Sequence, residues 1–209
     1  MDIVFLLFDG ITALDAVGPY EVLSRLPGAR VRFVGAAPGV VETNERSLGL
    51  RVTSSLADVR TAGVLVVPGG PGTRALLEDA AVLAWIREVH ETTTWTTSVC
   101  TGSLLLGAAG LLRGVRATTH WLSIDQLADF GAVPVRDRFV VDGRIATAAG
   151  VSAGIDLALT LAARIAGPGV AQEIQLMLEY APRPPFDAGS PERAPAEIVD
   201  RLRRRRANG

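Results

Sequence analysis

Apolar residues gather in short continuous blocks along the chain, and most blocks are followed by a stretch suited to a helix. Ile3 to Phe8 is the first block, closed by Asp9 and Gly10. An uninterrupted apolar run of strand length predicts a central parallel strand, because such a strand is covered on both faces. The segment ITALDAVGPYEVLSRLPG then predicts a loop feeding a helix from about Pro19 to Leu26, with Pro27 and Gly28 stopping it. Arg30 to Ala36 is a second strand, and PGVVETNERSLGLRVTSSLADV predicts a small hairpin and an extended connection. Gly63 to Val67 is a third buried strand, broken by PGGPGT ahead of a helix over about Arg74 to Glu91. Next, WTTSVCTGSLLLGAA runs from β-branched residues into helix formers, so Cys100 falls on a strand-to-helix turn. Arg116 to Thr118 predicts a short strand that delivers His120 and Trp121.

In the second half, Val133 to Arg136, Phe139 to Val141 and Arg144 to Thr147 surround Asp142-Gly143, a hairpin signal. TAAGVSAGIDLALTLAARIAG reads as a small-residue turn into a long buried helix. Gly167, Pro168 and Gly169 break that helix and start another that ends near Tyr180. APRPPFDAGSP predicts extended chain on the surface, and a final helix runs from about Glu192 to Arg206. Strands alternating with helices in this way predict an α/β fold with a mostly parallel sheet and helices on both faces. Residues 1–180 form the α/β domain on this reading, and 181–209 an extended segment and helix packed on it.

Length and charge narrow the picture. A chain of 209 residues fits one core. Twenty-one basic residues, all arginine, against 22 acidic ones give −1, which argues against a general nucleic-acid binder. The RLRRRR ending reads as a solvated helix C-terminus, where the dipole favours cations. A single cysteine allows no internal disulfide, and MDIVFLLFDG lacks the basic start of a signal peptide. No apolar run reaches the roughly 18 residues of a membrane span. The expectation is a soluble cytoplasmic protein without nucleic-acid or membrane partners. Cys100 and His120 have no metal-ligand spacing partners, so no metal is expected.

The chemistry centres on Cys100. At the start of a helix, free N–H groups and the dipole favour a thiolate, and Gly102 lets the turn close. Asp15 lies near the mouth of the first helix, where a carboxylate either caps the helix or holds a ligand. The PGGPGT loop lacks the lysine and spacing of a phosphate-binding loop. Its backbone N–H groups, at Gly70 or the neighbouring Gly69, are candidate oxyanion donors. His120 is a candidate base, a partner to the reacting groups, or a packed core residue.

With its cysteine turn after the fourth strand and the 20-residue gap from Cys100 to His120, the chain resembles the ThiJ/PfpI superfamily. Within it, LDAVGP, PGGPG, TSVCTGSLLLGAAGLL, RATTHW, AGIDLALTLAA and EYAPRPPFDAGSP are similar to the isonitrile (isocyanide) hydratases. The resemblance implies a flavodoxin-like three-layer sandwich, a homodimer, a small isocyanide substrate and no cofactor. It implies that Cys100 is the nucleophile and Asp15 the acid/base carboxylate, where most of the superfamily has glutamate. Thr101 stands where protease-like members carry histidine, which removes a Cys–His pairing; its N–H, with that of Gly70, is placed to stabilise developing charge. Ala149 stands where the hydratases are expected to have glycine, beside Gly150 at the edge of the active-site helix. Two alternatives follow from the same resemblance: a glyoxalase or deglycase working through a hemithioacetal, and a ligand-sensing domain like that of AraC-type regulators. A thiolate at Cys100 would also fit an oxidation sensor.

Overall fold

The computed structural model describes residues 1–207. Strand β1 (Asp2–Leu6) is buried along most of its length, as its apolar run requires, and leads to helix α1 (Ala13–Leu23). Strand β2 (Arg30–Gly35) follows, then the antiparallel hairpin of β3 (Gly39–Glu42) and β4 (Gly49–Val52), and the two-residue β5 (Ser54–Ser55). The wholly buried β6 (Val64–Val67) precedes helices α2 (Thr73–Leu76) and α3 (Ala80–His90). Strand β7 (Trp95–Val99) enters helix α4 (Gly102–Ala108) through Cys100 and Thr101. After β8 (Arg116–Ala117) comes a 3-10 stretch (Trp121–Phe130), then β9 (Val133–Pro134), β10 (Phe139–Asp142) and β11 (Ile145–Ala148). Helices α5 (Ala153–Ala166), α6 (Pro168–Met177) and α7 (Ala196–Ala207) complete the chain.

Seven strands form one sheet in the order β10-β11-β7-β6-β1-β2-β5, parallel throughout except at the β10–β11 hairpin. Helices α1, α5 and α6 pack together, as do α3 and α4 with the 3-10 stretch, giving the expected flavodoxin-like arrangement. Parallel strands share one direction, so β1, β6, β7 and β11 all release their chains at the same carboxyl edge. Two buried threonines of β7 are satisfied locally: Thr97 Oγ1 donates to the Leu65 carbonyl at 3.0 Å, and Thr96 Oγ1 lies 2.7 Å from His90 Nδ1. Among the described residues, no helix is long and apolar enough to cross a membrane.

Several element boundaries differ from the sequence-based expectation. Helix α1 begins at Ala13, not Pro19, and carries the proline inside it. Close packing on α5 outweighs the lost hydrogen bond: a Cβ added at Gly18 would meet Ile155 at 3.0 Å, and one at Gly154 would meet Pro19 at 3.1 Å. The helix foreseen over Arg74 to Glu91 is two helices, because the Asp79 side chain accepts from Ala81 N and Val82 N and starts α3 afresh. The 3-10 stretch after His120 was not foreseen. Its apolar residues carried no strand alternation, and Gly131, at φ 73°, ends it. The last helix starts at Ala196, after Pro195, instead of at Glu192.

The junction of β7 and α4 tolerates no side chain at Gly102. A Cβ there would lie 2.0 Å from the Val67 carbonyl oxygen and 2.7 Å from that of Pro68. Backbone on both sides leaves nothing flexible to move, so Gly102→Ala is expected to cost about 3 kcal/mol or more. A lowered denaturant midpoint with an unchanged m-value checks this.

Candidate active site

Register puts the ends of three strands side by side: Val99 pairs with Ala148, and Ser98 with Val67. Cys100 follows directly, with φ at 56°, a left-handed backbone that costs an L-residue roughly 1–2 kcal/mol. Neighbouring groups hold it there. Its N–H donates to the carbonyls of Ala148 (3.0 Å) and Ala149 (2.8 Å), and its own carbonyl accepts from Thr119 Oγ1 at 2.8 Å and Ser103 Oγ at 3.2 Å. The thiol is 5% exposed and lies at the wall of a cavity of about 530 Å³.

Asp15 sits in the first turn of α1, fully buried. It caps nothing. Its Oδ2 accepts from Gly69 N at 3.0 Å, and its carboxyl group lies close enough to the Cys100 thiol for the two to interact electrostatically. Oδ1 has no hydrogen-bond partner among the described residues. The glycine loop is stapled over the first strand's exit, with Thr12 N donating to Gly69 O (2.9 Å) and Gly72 N to Gly10 O (3.1 Å). Gly69 is forced by crowding, since a Cβ would lie 2.5 Å from Thr101 N and 2.9 Å from Asp15 Oδ2.

Electrostatics correct one expectation. Burial raises the Asp15 carboxyl from its ordinary 3.8 to about 7, with the Gly69 hydrogen bond and the Cys100 thiol pulling the other way. Burial, and then the charge of Asp15, push the Cys100 thiol from 9.0 to about 12. The resting sulfur is therefore a thiol, not the thiolate that the helix-start argument favours. Hydrogen bonds from the N–H groups of Thr101 and Val151 and from the Thr101 hydroxyl do favour the anion, but desolvation outweighs them.

Neither glycine of the loop presents a free donor to the cavity. Gly69 N–H is held by Asp15 Oδ2, and Gly70 N–H donates to Thr101 Oγ1 at 3.0 Å. They position the carboxyl group and the threonine instead of waiting for an oxyanion. Thr101 Oγ1 also accepts from Thr73 Oγ1 at 3.2 Å, which fixes its orientation beside the sulfur. His120 lines the cavity, but its Nδ1 accepts from Leu122 N at 3.3 Å and caps the 3-10 stretch. Burial, then Arg206, push its pKa below the usual histidine value, and it makes no hydrogen bond to Cys100 among the described residues. Ala149 and Gly150 lie on its far side, where both line a second cavity of about 390 Å³.

Three contributors escaped the sequence. Val151 acts through a backbone N–H, which leaves no signature in residue type. Asn44 reaches the cavity from the β3–β4 turn, a segment in which nothing catalytic stood out. Arg206 belongs to the arginine run read as solvated, yet it is only partly exposed and lines the cavity. Among the described residues, no group of three His, Cys, Asp or Glu side chains is placed to hold a metal ion.

A sheet of this topology, with a strained cysteine between β7 and α4 and a buried carboxyl group against it, defines a class. The chain belongs to the DJ-1/PfpI family, whose sequence profile matches residues 1–164. It is 49% identical over 207 residues to an isonitrile hydratase of Pseudomonas putida, a match covering 99% of this chain and 90% of that one. A crystal structure of a ThiJ/PfpI family protein from Pseudomonas syringae superposes with a TM-score of 0.96 at 40% identity, covering 99% of this chain and 86% of that one. The HTH-type transcriptional regulator CdhR of Pseudomonas aeruginosa is 32% identical over 83% of this chain and 53% of its own length.

Proposed function

We propose that this chain hydrates isocyanides, adding water to R–N≡C to give the N-substituted formamide R–NH–CHO through a thioimidate on Cys100. The observation that carries the reading is the buried Asp15 carboxyl interacting with Cys100, which walls a ligand-sized cavity together with Thr101. The hydratase of P. putida, similar along nearly the whole chain, supports it.

The chemistry needs one proton moved from sulfur to carbon. As Cys100 Sγ attacks the terminal carbon, Asp15 accepts the thiol proton and gives it to that carbon. The S–H bond breaks, C–S and C–H bonds form, and the triple bond becomes the C=N of Cys–S–CH=N–R. The gap between about 7 and about 12 couples these events, since a free thiolate ahead of bond formation is disfavoured. Water then adds to the C=N carbon, with Asp15 taking its proton and nitrogen receiving it. The tetrahedral carbon collapses, sulfur leaves, and the hydroxyl proton returns to it through Asp15. The N–H groups of Thr101 and Val151 are the donors aimed at sulfur as its charge develops and departs.

The reactive form of the pair has Asp15 ionised and the thiol protonated. Hydration of an aryl isocyanide is therefore expected to rise in kcat/KM as pH increases through about 7 and to level above it. Spectrophotometric formamide formation between about pH 5 and 9 measures this. A flat profile would remove Asp15 from the proton path.

A ligand sensor is the second reading, favoured by the similarity to CdhR over the α/β region. A sensor would bind the isocyanide without producing formamide, so the same assay separates the two.

A further inference from the structure

The C-terminal helix contributes Arg206 to the cavity of Cys100. Val199, Arg203 and Arg206 share a face of α7 at helical spacings of four and three. Val199 is buried, the Arg203 guanidinium lies 5.9 Å from the centroid of the Trp121 ring, and Arg206 Nη2 donates to Ser123 Oγ at 3.1 Å. These contacts dock the helix on the 3-10 stretch and set Arg206 into the cavity wall. Arg204 and Arg205, its neighbours in the run, are exposed.

Arg206 takes part in none of the ion pairs among the described residues. Ser123 uses one of the five N–H bonds of its guanidinium. Arg74 lines the same cavity, and among the described residues the one carboxylate lining it is the exposed Asp129. Arg206 thus presents a cation to the cavity wall, at a place already partly stripped of water. Burial and repulsion from Arg74 both work against the Arg206 cation, while attraction to charge on Cys100 favours it. An anion there would relieve that repulsion and accept two parallel N–H bonds, the geometry in which guanidinium exceeds ammonium.

We propose that Arg206 is a specificity-determining residue that receives a carboxylate on the substrate's R group, so that the preferred substrates are anionic isocyanides. This rests on the hydration reading above. The isocyano carbon meets Cys100 while the far end of the molecule meets α7.

The test uses 4-isocyanobenzoate and its methyl ester, which differ in charge at one position. The wild-type protein is expected to favour the carboxylate by about tenfold or more in kcat/KM. Arg206→Gln is expected to lower the carboxylate-to-ester ratio by a similar factor, mainly through KM, with Arg206→Lys restoring part of it. A wild-type ratio near one, or an equal loss on both substrates in Arg206→Gln, overturns the proposal and leaves Arg206 as a docking contact of the helix. Calorimetry with 4-formamidobenzoate and its methyl ester, on wild type and both variants, reads the same contact without turnover. If neither isocyanide is hydrated, the hydration reading falls and calorimetry decides alone: selective, Arg206-dependent binding of the carboxylate supports anion recognition, and equal binding overturns it.

Discussion

Cys100→Ala is expected to abolish isocyanide hydration, down to the rate of the uncatalysed reaction, while leaving the protein folded. The sulfur forms the bond that the whole sequence of steps depends on, and it is the only cysteine in the chain. The fold should survive because the change removes one small buried atom and keeps the contacts that hold the turn. Those contacts are made by the backbone: N–H to Ala148 and Ala149, carbonyl from Thr119 and Ser103. Alanine tolerates φ of 56° about as poorly as cysteine, so the strain is unchanged and a stability loss of about 1 kcal/mol is expected. Turnover and a denaturant titration on the same preparation check both halves. Mass spectrometry of the wild type with excess isocyanide should show a thioimidate adduct that the variant lacks. Formamide production by the variant would end the nucleophile assignment.

Asp15→Asn is the second large effect, and it acts in opposite directions on activity and stability. Asparagine keeps an acceptor for Gly69 N–H but cannot carry a proton between sulfur, carbon and water, so turnover should fall about 10²- to 10⁴-fold. Stability follows from the raised carboxyl. Between pH 3.8 and about 7 the folded state holds a proton on Asp15 that the unfolded chain has released, so wild-type stability falls with rising pH over that window. Above about 7 the loss is complete. At about 1.4 kcal/mol per tenfold, a rise from 3.8 to about 7 corresponds to at most about 4 kcal/mol. Asparagine has no charge to bury, so the variant should be more stable than wild type at pH 8, with the gap closing toward pH 4. Urea unfolding at both pH values measures it, and a variant less stable at pH 8 would show that the buried carboxylate is not the cost described here. The active site is held together at the expense of folding energy, as expected where a proton carrier must sit away from water.

The element pattern was legible because each central strand is covered on both faces and so reads as an apolar block; β1, β6 and β7 all lie where such blocks, or the β-branched run before Cys100, placed them. Cys100 was legible for a related reason, since a strand that ends on a nucleophile and restarts as a helix has a local signature. The start of α1 was not, because local rules place Pro19 at a helix start, whereas packing of Gly18 and Pro19 against α5 decides the matter. Arg206 was hidden for the opposite reason: a run of four arginines looks alike in sequence, and only the docking of α7 through Val199 and Arg203 turns one of them inward.

What the amino-acid order alone determined is the parallel α/β framework, the turn that carries the cysteine and the presence of a carboxylate on an early loop or helix. These are set by short-range periodicity and by the few residues that can occupy a sharp turn. The tertiary structure decided the protonation of the pair, the engagement of both loop glycines and the approach of the last helix. Each of those depends on burial and on contacts between residues far apart in the chain. Water leaves Asp15 and Cys100 only when β1, β6, β7 and β11 bring their ends together, and desolvation then reverses the ionisation that the helix start by itself would favour.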